Sequence, residues 1–197
     1  NIFIHKAKKC RLYNKLMEIL FDKIIIYILK YKVHVSINLD YIDILNPYIK
    51  KTLLKKIKDN KIGSYLTLEI LESEKVSNFE LVNKFINETK QYGVKIAIDD
   101  FGTGFSNYEN ILNLDINYIK IDGSLIRKID ETIYLNLIKS IVSFSKEQNI
   151  KVVAEFVSDL KILRYVKSVG IDYSQGYQIG KPMHINDIIK GNKWTIS

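Results

Sequence analysis

Apolar side chains recur along this chain in two alternating rhythms. One repeats every three or four residues, as a helix face does; the other repeats every second residue, as a strand face does. Leu12, Leu16, Ile19, Leu20, Ile24 and Tyr27 keep the helical period and predict a helix over about 13–29, with a shorter one before it. From 33 to 39 the period drops to two, with Val33, Val35 and Ile37 on one side and His34, Ser36 and Asn38 on the other. Residues 42–59 return to helical spacing, with Pro47 near a helix start. Residues 65–71 alternate again, setting Leu66, Leu68 and Ile70 against Thr67 and Glu69. The rhythm continues with a helix over 78–92 stopped by Gly93, a strand over 94–99 and a short helix over 105–114. A strand over 118–122, a helix over 131–148 stopped at Asn149 and a strand over 150–156 follow. A helix over 160–169 stopped by Gly170, a strand over 171–174 closed by Gln175-Gly176-Tyr177, and a helix over 187–190 end the pattern.

Strand and helix alternating this often imply parallel strands joined by crossover helices. One face of each strand is branched and apolar, as required under a helix layer. The other carries Ser36, Thr67, Ala97 and Lys120, then an ionisable or amide residue at the carboxyl end: Asn38, Glu69, Asp99, Asp122, Glu155 and Gln175. A doubly wound sheet needs both faces apolar. A closed (β/α)8 barrel instead turns the second face inward and gathers those end residues at one mouth, where such folds do their chemistry. The expected fold is therefore a TIM-like α/β barrel in a single domain covering 1–197.

Composition narrows the setting. The 197 residues are 47% hydrophobic and 26% charged, a globular balance. The single cysteine, Cys10, rules out an internal disulfide and suits a cytoplasmic compartment. The longest apolar run, Ile24 to Leu29, is too short to cross a bilayer, so no membrane contact is expected of this segment; any tether of the parent protein would lie upstream. The first residue is Asn1, which reads as a piece of a longer chain. The formal charge of +8 comes from lysines scattered over predicted helices, so it reads as a solvated surface that attracts a small anion, not as a groove for a nucleic-acid polymer.

The sequence Lys95-Ile96-Ala97-Ile98-Asp99-Asp100-Phe101-Gly102 runs a strand into two adjacent carboxylates and a glycine turn. Two carboxylates this close repel, so one takes up a proton or a cation neutralises both. A solvated Asp-Asp turn opening a helix is the competing reading. The three histidines fall elsewhere: His5 and His184 near the ends, and His34 deep in a predicted strand as a core or barrel-lining residue. Asn38, Glu69, Asp99, Asp100 and Glu155 thus offer hard oxygen ligands that suit Mg²⁺ or Mn²⁺. Together with Lys120 they suit metal-assisted hydrolysis of a phosphate ester. Two cations would hold a water and the phosphate oxygens, Lys120 would lie beside the attacking water, and Glu155 would take its proton. Gly102 and Gly104 read as turn residues rather than a nucleotide cradle.

Six motifs in order carry a resemblance to a known family. Ala97-Ile98-Asp99-Asp100-Phe101-Gly102-Thr103-Gly104-Phe105-Ser106 resembles the DDFGTG motif of the EAL-domain family, the cyclic di-GMP phosphodiesterases. Ser36-Ile37-Asn38-Leu39, Glu69-Ile70-Leu71-Glu72-Ser73, Ile119-Lys120-Ile121-Asp122 and Val153-Ala154-Glu155 resemble its other strand motifs. Gln175-Gly176-Tyr177 with Lys181-Pro182 resembles its last one. The resemblance implies a (β/α)8-like barrel that cleaves cyclic di-GMP to linear pGpG with two Mg²⁺ or Mn²⁺ ions. Carried over by motif, Asn38, Glu69, Asp99, Asp100 and Glu155 are metal ligands, with Asp99 bridging. Glu155 and Lys120 are catalytic, and Asp122 and Gln175 support substrate or water. Glu72 holds the loop that contains Gly102 and Gly104. A homodimer and an upstream sensory or GGDEF-type domain are implied as partners.

The departures define an alternative. The strand bearing the Glu-Ala-Leu signature is absent, so the domain is expected to lack its first barrel strand and one ligand. Phe156 stands where the family carries Gly, and Ser158 stands where it carries a second Glu. The alternative is a degenerate EAL domain that senses cyclic di-GMP or serves as a dimerisation module without hydrolysing it.

Overall fold

The computed structural model describes residues 7, 10, 12–71, 79–102 and 108–190. Helix α1 (Tyr13–Tyr31) leads into strand β1 (Val35–Leu39). Helices α2 (Tyr41–Leu45) and α3 (Pro47–Asn60) follow, then β2 (Leu66–Leu71), α4 (Phe79–Lys90) and β3 (Lys95–Phe101). Next come α5 (Tyr108–Leu112), β4 (Tyr118–Ile121), α6 (Gly123–Ile126), α7 (Thr132–Glu147) and β5 (Lys151–Ala154). Helix α8 (Leu160–Ser168), β6 (Tyr173–Ser174) and α9 (Ile185–Lys190) complete the described chain. Among the described residues, six strands form one sheet in the order β1-β2-β3-β4-β5-β6, every pair parallel. Strictly sequential parallel order is the singly wound path of a (β/α) barrel wall, and it excludes the reversal of order that a doubly wound sheet requires.

The alternation predicted from sequence sets the two faces. Ile37, Leu39, Leu66, Leu68, Ile70, Ile96, Ile98, Ile119, Ile121, Val152 and Ala154 join one hydrophobic core with the helices. The helices meet it through residues spaced three or four apart. These are Ile49, Leu53 and Ile57 of α3, Val82, Phe85 and Ile86 of α4, Ile138, Ile141 and Val142 of α7, and Ile162 and Val166 of α8. The opposite face carries a polar floor. Lys95 Nζ donates to Tyr118 Oη at 3.1 Å, and the Tyr118 ring meets Tyr173 edge-on at 6.0 Å.

Helix ends follow local chemistry. The Asn46 carboxamide oxygen accepts from the backbone N–H groups of Tyr48 and Ile49, and Pro47 supplies the first helical residue of α3. Gly93, Asn149 and Gly170 all adopt positive φ, as their expected role as stops requires.

Several boundaries differ from the sequence reading. The segment 42–59 is two helices, because Asn46 is extended and caps the second. His34 lies before β1, exposed, with its ring tilted against Tyr65 at 5.3 Å; it lines no barrel. Strand β5 ends at Ala154, ahead of Glu155, and β6 has only two residues. Strand β3 runs on to Phe101, past the point where the Asp-Asp pair was expected to leave it.

Ile119 is 0% exposed at the centre of the core, whereas Ile133 on α7 is 74% exposed. Ile119→Ala is expected to lower unfolding free energy by about 2–5 kcal/mol in urea titrations, and Ile133→Ala by less than about 0.5 kcal/mol. Equal losses at the two positions would contradict this placement of the core.

Candidate active site

The site begins with an irregularity in β3. In register, Ala97 pairs with Tyr118 and Ile98 with Ile119, but Phe101 pairs with Ile121. Two residues of β3, Asp99 and Asp100, therefore stand against one residue of β4, Lys120. That is a β-bulge. Asp100 takes the left-handed conformation, φ 57°, which aspartate tolerates better than most residues. The extra residue restores Phe101 to the helix side, where it is 0% exposed. Strict alternation would have sent Asp100 toward the helices; the bulge keeps both carboxylates near Lys120.

Lys120 itself is 5% exposed. Its ammonium donates to Glu69 of β2, to Asp99 of β3 and lies against Glu155 beyond β5, each at 2.7 Å. Those three carboxylates thus lie no more than twice that distance apart, although they come from three different strand ends. Asp100 completes the group: oxygen atoms of Asp99, Asp100 and Glu155 all fall within 4.8 Å of one another.

The protonation states follow. Burial alone would lower the Lys120 pKa, but the hydrogen bonds it donates to Asp99, Glu155 and Glu69 outweigh it and hold the group well above the usual lysine range. Lys120 is therefore a fixed cation and donor. Burial raises the Glu155 carboxyl above its ordinary value; Lys120 opposes this, while Asp99 and Asp100 add to it. The Asp100 carboxyl is also raised, by burial first and then by the charges of Asp99 and Asp122. One ammonium offsets only one of four carboxylates, so excess negative charge is concentrated here. All the donors are hard oxygens in mutual reach, a set that fits a divalent cation.

The remaining predicted residues lie around this centre. Asn38 sits opposite Glu69 in the β1–β2 register, on the same polar face and exposed. Asp122 is not a strand residue. It caps α6, where its carboxylate accepts from the Ser124 N–H at 2.7 Å, and it shares a hydrogen bond with Asp100. Its pKa is lowered: burial pushes it up, but bonds from Ser124 and Gly123 and the Arg127 charge prevail. Gln175 follows β6, exposed; its backbone N–H donates to Ala154 O at 2.8 Å and its carbonyl accepts from Val157. Gly102 has φ 98°, and a Cβ there would come within 2.4 Å of Leu125 Cδ1, so the turn after the bulge needs glycine. Glu72 and Gly104 lie outside the described residues.

Two neighbours escaped the sequence reading. Arg127 lies just past α6 with its guanidinium 5.2 Å from the Phe156 ring centre, and Gly123 lies directly against that ring. Their only signal was position, in the segment after the Lys120 strand.

The model of the EAL domain family matches residues 1–182. Over 118 residues the chain is 42% identical to the cyclic di-GMP phosphodiesterase PdeA of Borreliella burgdorferi, covering 59% of this chain and 18% of that protein. Over 154 residues it is 35% identical to the probable cyclic di-GMP phosphodiesterase PdeA of Escherichia coli, covering 77% of this chain and 21% of that one. The chain spans about a fifth of the length of these curated relatives. Among solved structures, an EAL domain protein from Listeria monocytogenes superposes with a TM-score of 0.81 at 25% identity, covering 98% of this chain and 77% of that chain. The PaMucR phosphodiesterase, in a c-di-GMP complex, superposes with a TM-score of 0.84 at 23% identity, covering 94% and 78% of the two chains. A singly wound parallel wall, an acid ring around a buried lysine and a match over residues 1–182 agree: this chain belongs to the EAL domain family.

Proposed function

We propose that this chain is the catalytic domain of a metal-dependent phosphodiesterase that opens cyclic di-GMP to linear pGpG. The observation that carries the reading is the convergence of Glu69, Asp99 and Glu155 on Lys120, with Asp100 alongside. The names of the relatives support the substrate. The reading includes a homodimer and an upstream sensory or GGDEF-type domain in the cytoplasm. Among the described residues, no helix is long and apolar enough to cross a membrane.

Glu69, Asp99, Asp100 and Glu155, with Asn38 at the edge, would hold Mg²⁺ or Mn²⁺. Bound there, the metal supplies Lewis-acid activation of a water and neutralises phosphate charge. The chain's own groups divide the rest. Lys120 is held protonated, so it cannot be the base; it donates to the attacking oxygen or to developing negative charge. The base falls to a carboxylate, and Glu155, held beside Lys120 and within reach of Asp99 and Asp100, takes that role. It takes the water's proton as the water oxygen bonds to phosphorus and one phosphodiester P–O bond breaks, and the departing oxygen takes up a proton from solvent water to become the hydroxyl of pGpG. Asp122 and Gln175 stand at the rim to hold substrate or water. The presence of Asn38, Glu69, Asp99, Asp100, Lys120 and Glu155 at the matched positions favours hydrolysis over a non-catalytic sensor.

Incubation of the complete domain, with the Glu-Ala-Leu strand in place, with cyclic di-GMP and Mn²⁺ is expected to yield pGpG, resolved by chromatography. Glu155→Ala should lower the rate by about 10²–10⁴-fold with the circular dichroism spectrum unchanged. Tight binding without pGpG would move the reading to the sensor.

Chelation by EDTA should abolish turnover, with recovery on adding Mg²⁺ or Mn²⁺ and none on adding Ca²⁺-free buffer alone. Turnover that survives exhaustive chelation would overturn the metal-dependent scheme.

Lys120→Met leaves three carboxylates facing one another without their cation. Its melting temperature in EDTA is expected to fall well below the wild type's, by an amount on the order of 3–5 kcal/mol of stability. Divalent metal should raise the variant's melting temperature more than the wild type's, because it replaces a missing charge. An equal response in both would argue that Lys120 does not balance the ring.

A further inference from the structure

Helix α1 is apolar on two opposite sides. Met17, Phe21, Ile25 and Ile28 are buried in the fold. Leu12, Ile19 and Ile26 repeat every seven residues, close to two full turns, so they form one row. That row faces away from the buried side and is 59%, 44% and 60% exposed. A helix needs one apolar side to join a domain; a second one turned to solvent marks a contact surface.

The surroundings of the row are basic. Lys15, Lys23 and Lys30 lie three or four residues from its members and are exposed. Helix α3 runs beside α1. Asn46 Nδ2 donates to Asn14 Oδ1 and Tyr48 Oη to Glu18 Oε2, each at 3.0 Å, and Lys56 pairs with Asp22. With Ile49, Leu53 and Ile57 buried, α3 turns Lys51, Lys55 and Lys58 outward, all exposed. Among the described residues these six lysines form no ion pair. Of the acids on the two helices, Glu18 is held by Tyr48 and Asp22 by Lys56, which leaves Asp59. The outer face of α1 and α3 is thus strongly positive with an apolar row through it, on a chain of net charge +8.

We propose that this face is a peripheral docking surface for an anionic lipid bilayer. The lysines attract acidic headgroups, and Leu12, Ile19 and Ile26 enter the boundary between headgroups and acyl chains. Charge decides among the occupants. A second copy of this chain would bring the same lysines face to face. A nucleic-acid duplex offers phosphates but no apolar surface to the row. An anionic bilayer satisfies both the cations and the row. The helices lie on the membrane plane; among the described residues no helix is long and apolar enough to cross one. The face belongs to the helix layer, and the acid ring to the opposite, polar side of the sheet, so docking does not cover the ring. The inference is independent of the phosphodiesterase reading.

Vesicle sedimentation of the complete domain tests it. The protein should pellet with vesicles of phosphatidylglycerol and phosphatidylcholine in equal parts and stay in solution with phosphatidylcholine alone. Binding should weaken as salt rises. Ile19→Glu combined with Ile26→Glu should lower the partition coefficient by about tenfold or more. Lys15→Gln, Lys23→Gln and Lys30→Gln together should lower it by about 10²-fold, since each lysine near the surface contributes about fivefold. Ile133→Glu, on α7 and away from this face, should bind as the wild type does. The emission of Ile26→Trp should shift to the blue on the anionic vesicles and be quenched by brominated lipid, beyond any change from native Trp194. If the double glutamate variant fails to fold, the lysine and tryptophan variants carry the test. Equal binding to both kinds of vesicle would overturn the proposal. So would wild-type partition in the row and lysine variants, or an equal loss in Ile133→Glu, either of which would assign the attraction to net charge alone. A dimer that Ile26→Glu dissolves, with vesicles ignored, would make the occupant a second copy. Tighter binding to poly-glutamate than to the anionic vesicles would make it an acidic protein.

Discussion

A single ammonium buried among carboxylates is the interaction on which the rest of this structure depends. Removing an ion from water is costly, and a buried charge persists only when paired and hydrogen-bonded. Lys120 meets that condition with three partners at 2.7 Å, each from a different strand end. The pairing works in both directions. Without the lysine, Glu69, Asp99 and Glu155 would repel and the strand ends carrying them would spread. Without the carboxylates, the lysine could not stay charged inside the sheet. Holding these four groups in register requires β2, β3, β4 and β5 to be consecutive neighbours, which the singly wound order guarantees. The apolar face beneath, from Leu68 to Val152, then fixes the strands rigidly enough to keep the ring small.

That rigidity needs one local exception. A regular strand can offer only every second side chain to the polar face. The chain presents Asp99 and Asp100 together by inserting a residue into β3 opposite Lys120 and giving Asp100 a left-handed backbone. Phe101 returns to the core as a consequence, and Gly102 makes the turn that follows because its φ of 98° is one that glycine adopts without strain. The bulge thus raises the local carboxylate density without disturbing the core on either side of it.

Much of this was legible from spacing alone. Leu66, Leu68 and Ile70 against Thr67 and Glu69 gave the two faces of β2, and the same logic placed Lys120 and Glu155 inward. The family motifs then supplied roles that periodicity cannot. What spacing missed has physical reasons. A bulge is a two-against-one count between strands, so Asp100 reads as a loop residue until β4 is beside it. Asp122 continues the alternation of Lys120 in sequence, yet its carboxylate finds the free N–H of Ser124 and starts a helix instead. His34 fits the strand pattern, but β1 begins one residue later. Arg127 and Gly123 matter only through the ring of a residue some thirty positions away, a relation that no local window contains.

The segment after β5 faces two opposed demands one residue apart. Glu155 must turn into a buried, water-poor ring, where it is 7% exposed; Phe156 stands out at the rim. An extended chain would meet both demands by alternation, but it would carry the strand onward and lift Val157 from the core. A left-handed residue reverses the chain's direction at once. It lets Val157 bury and bond to Gln175 while Phe156 swings over Gly123. Glycine would adopt this turn with less strain. An aromatic side chain held there at a cost of about 1–2 kcal/mol places its ring where neither core nor helix requires one. The inward carboxylate of Glu155 and the outward ring of Phe156 are therefore consequences of one backbone turn, which ties the chemistry of the floor to the geometry of the mouth.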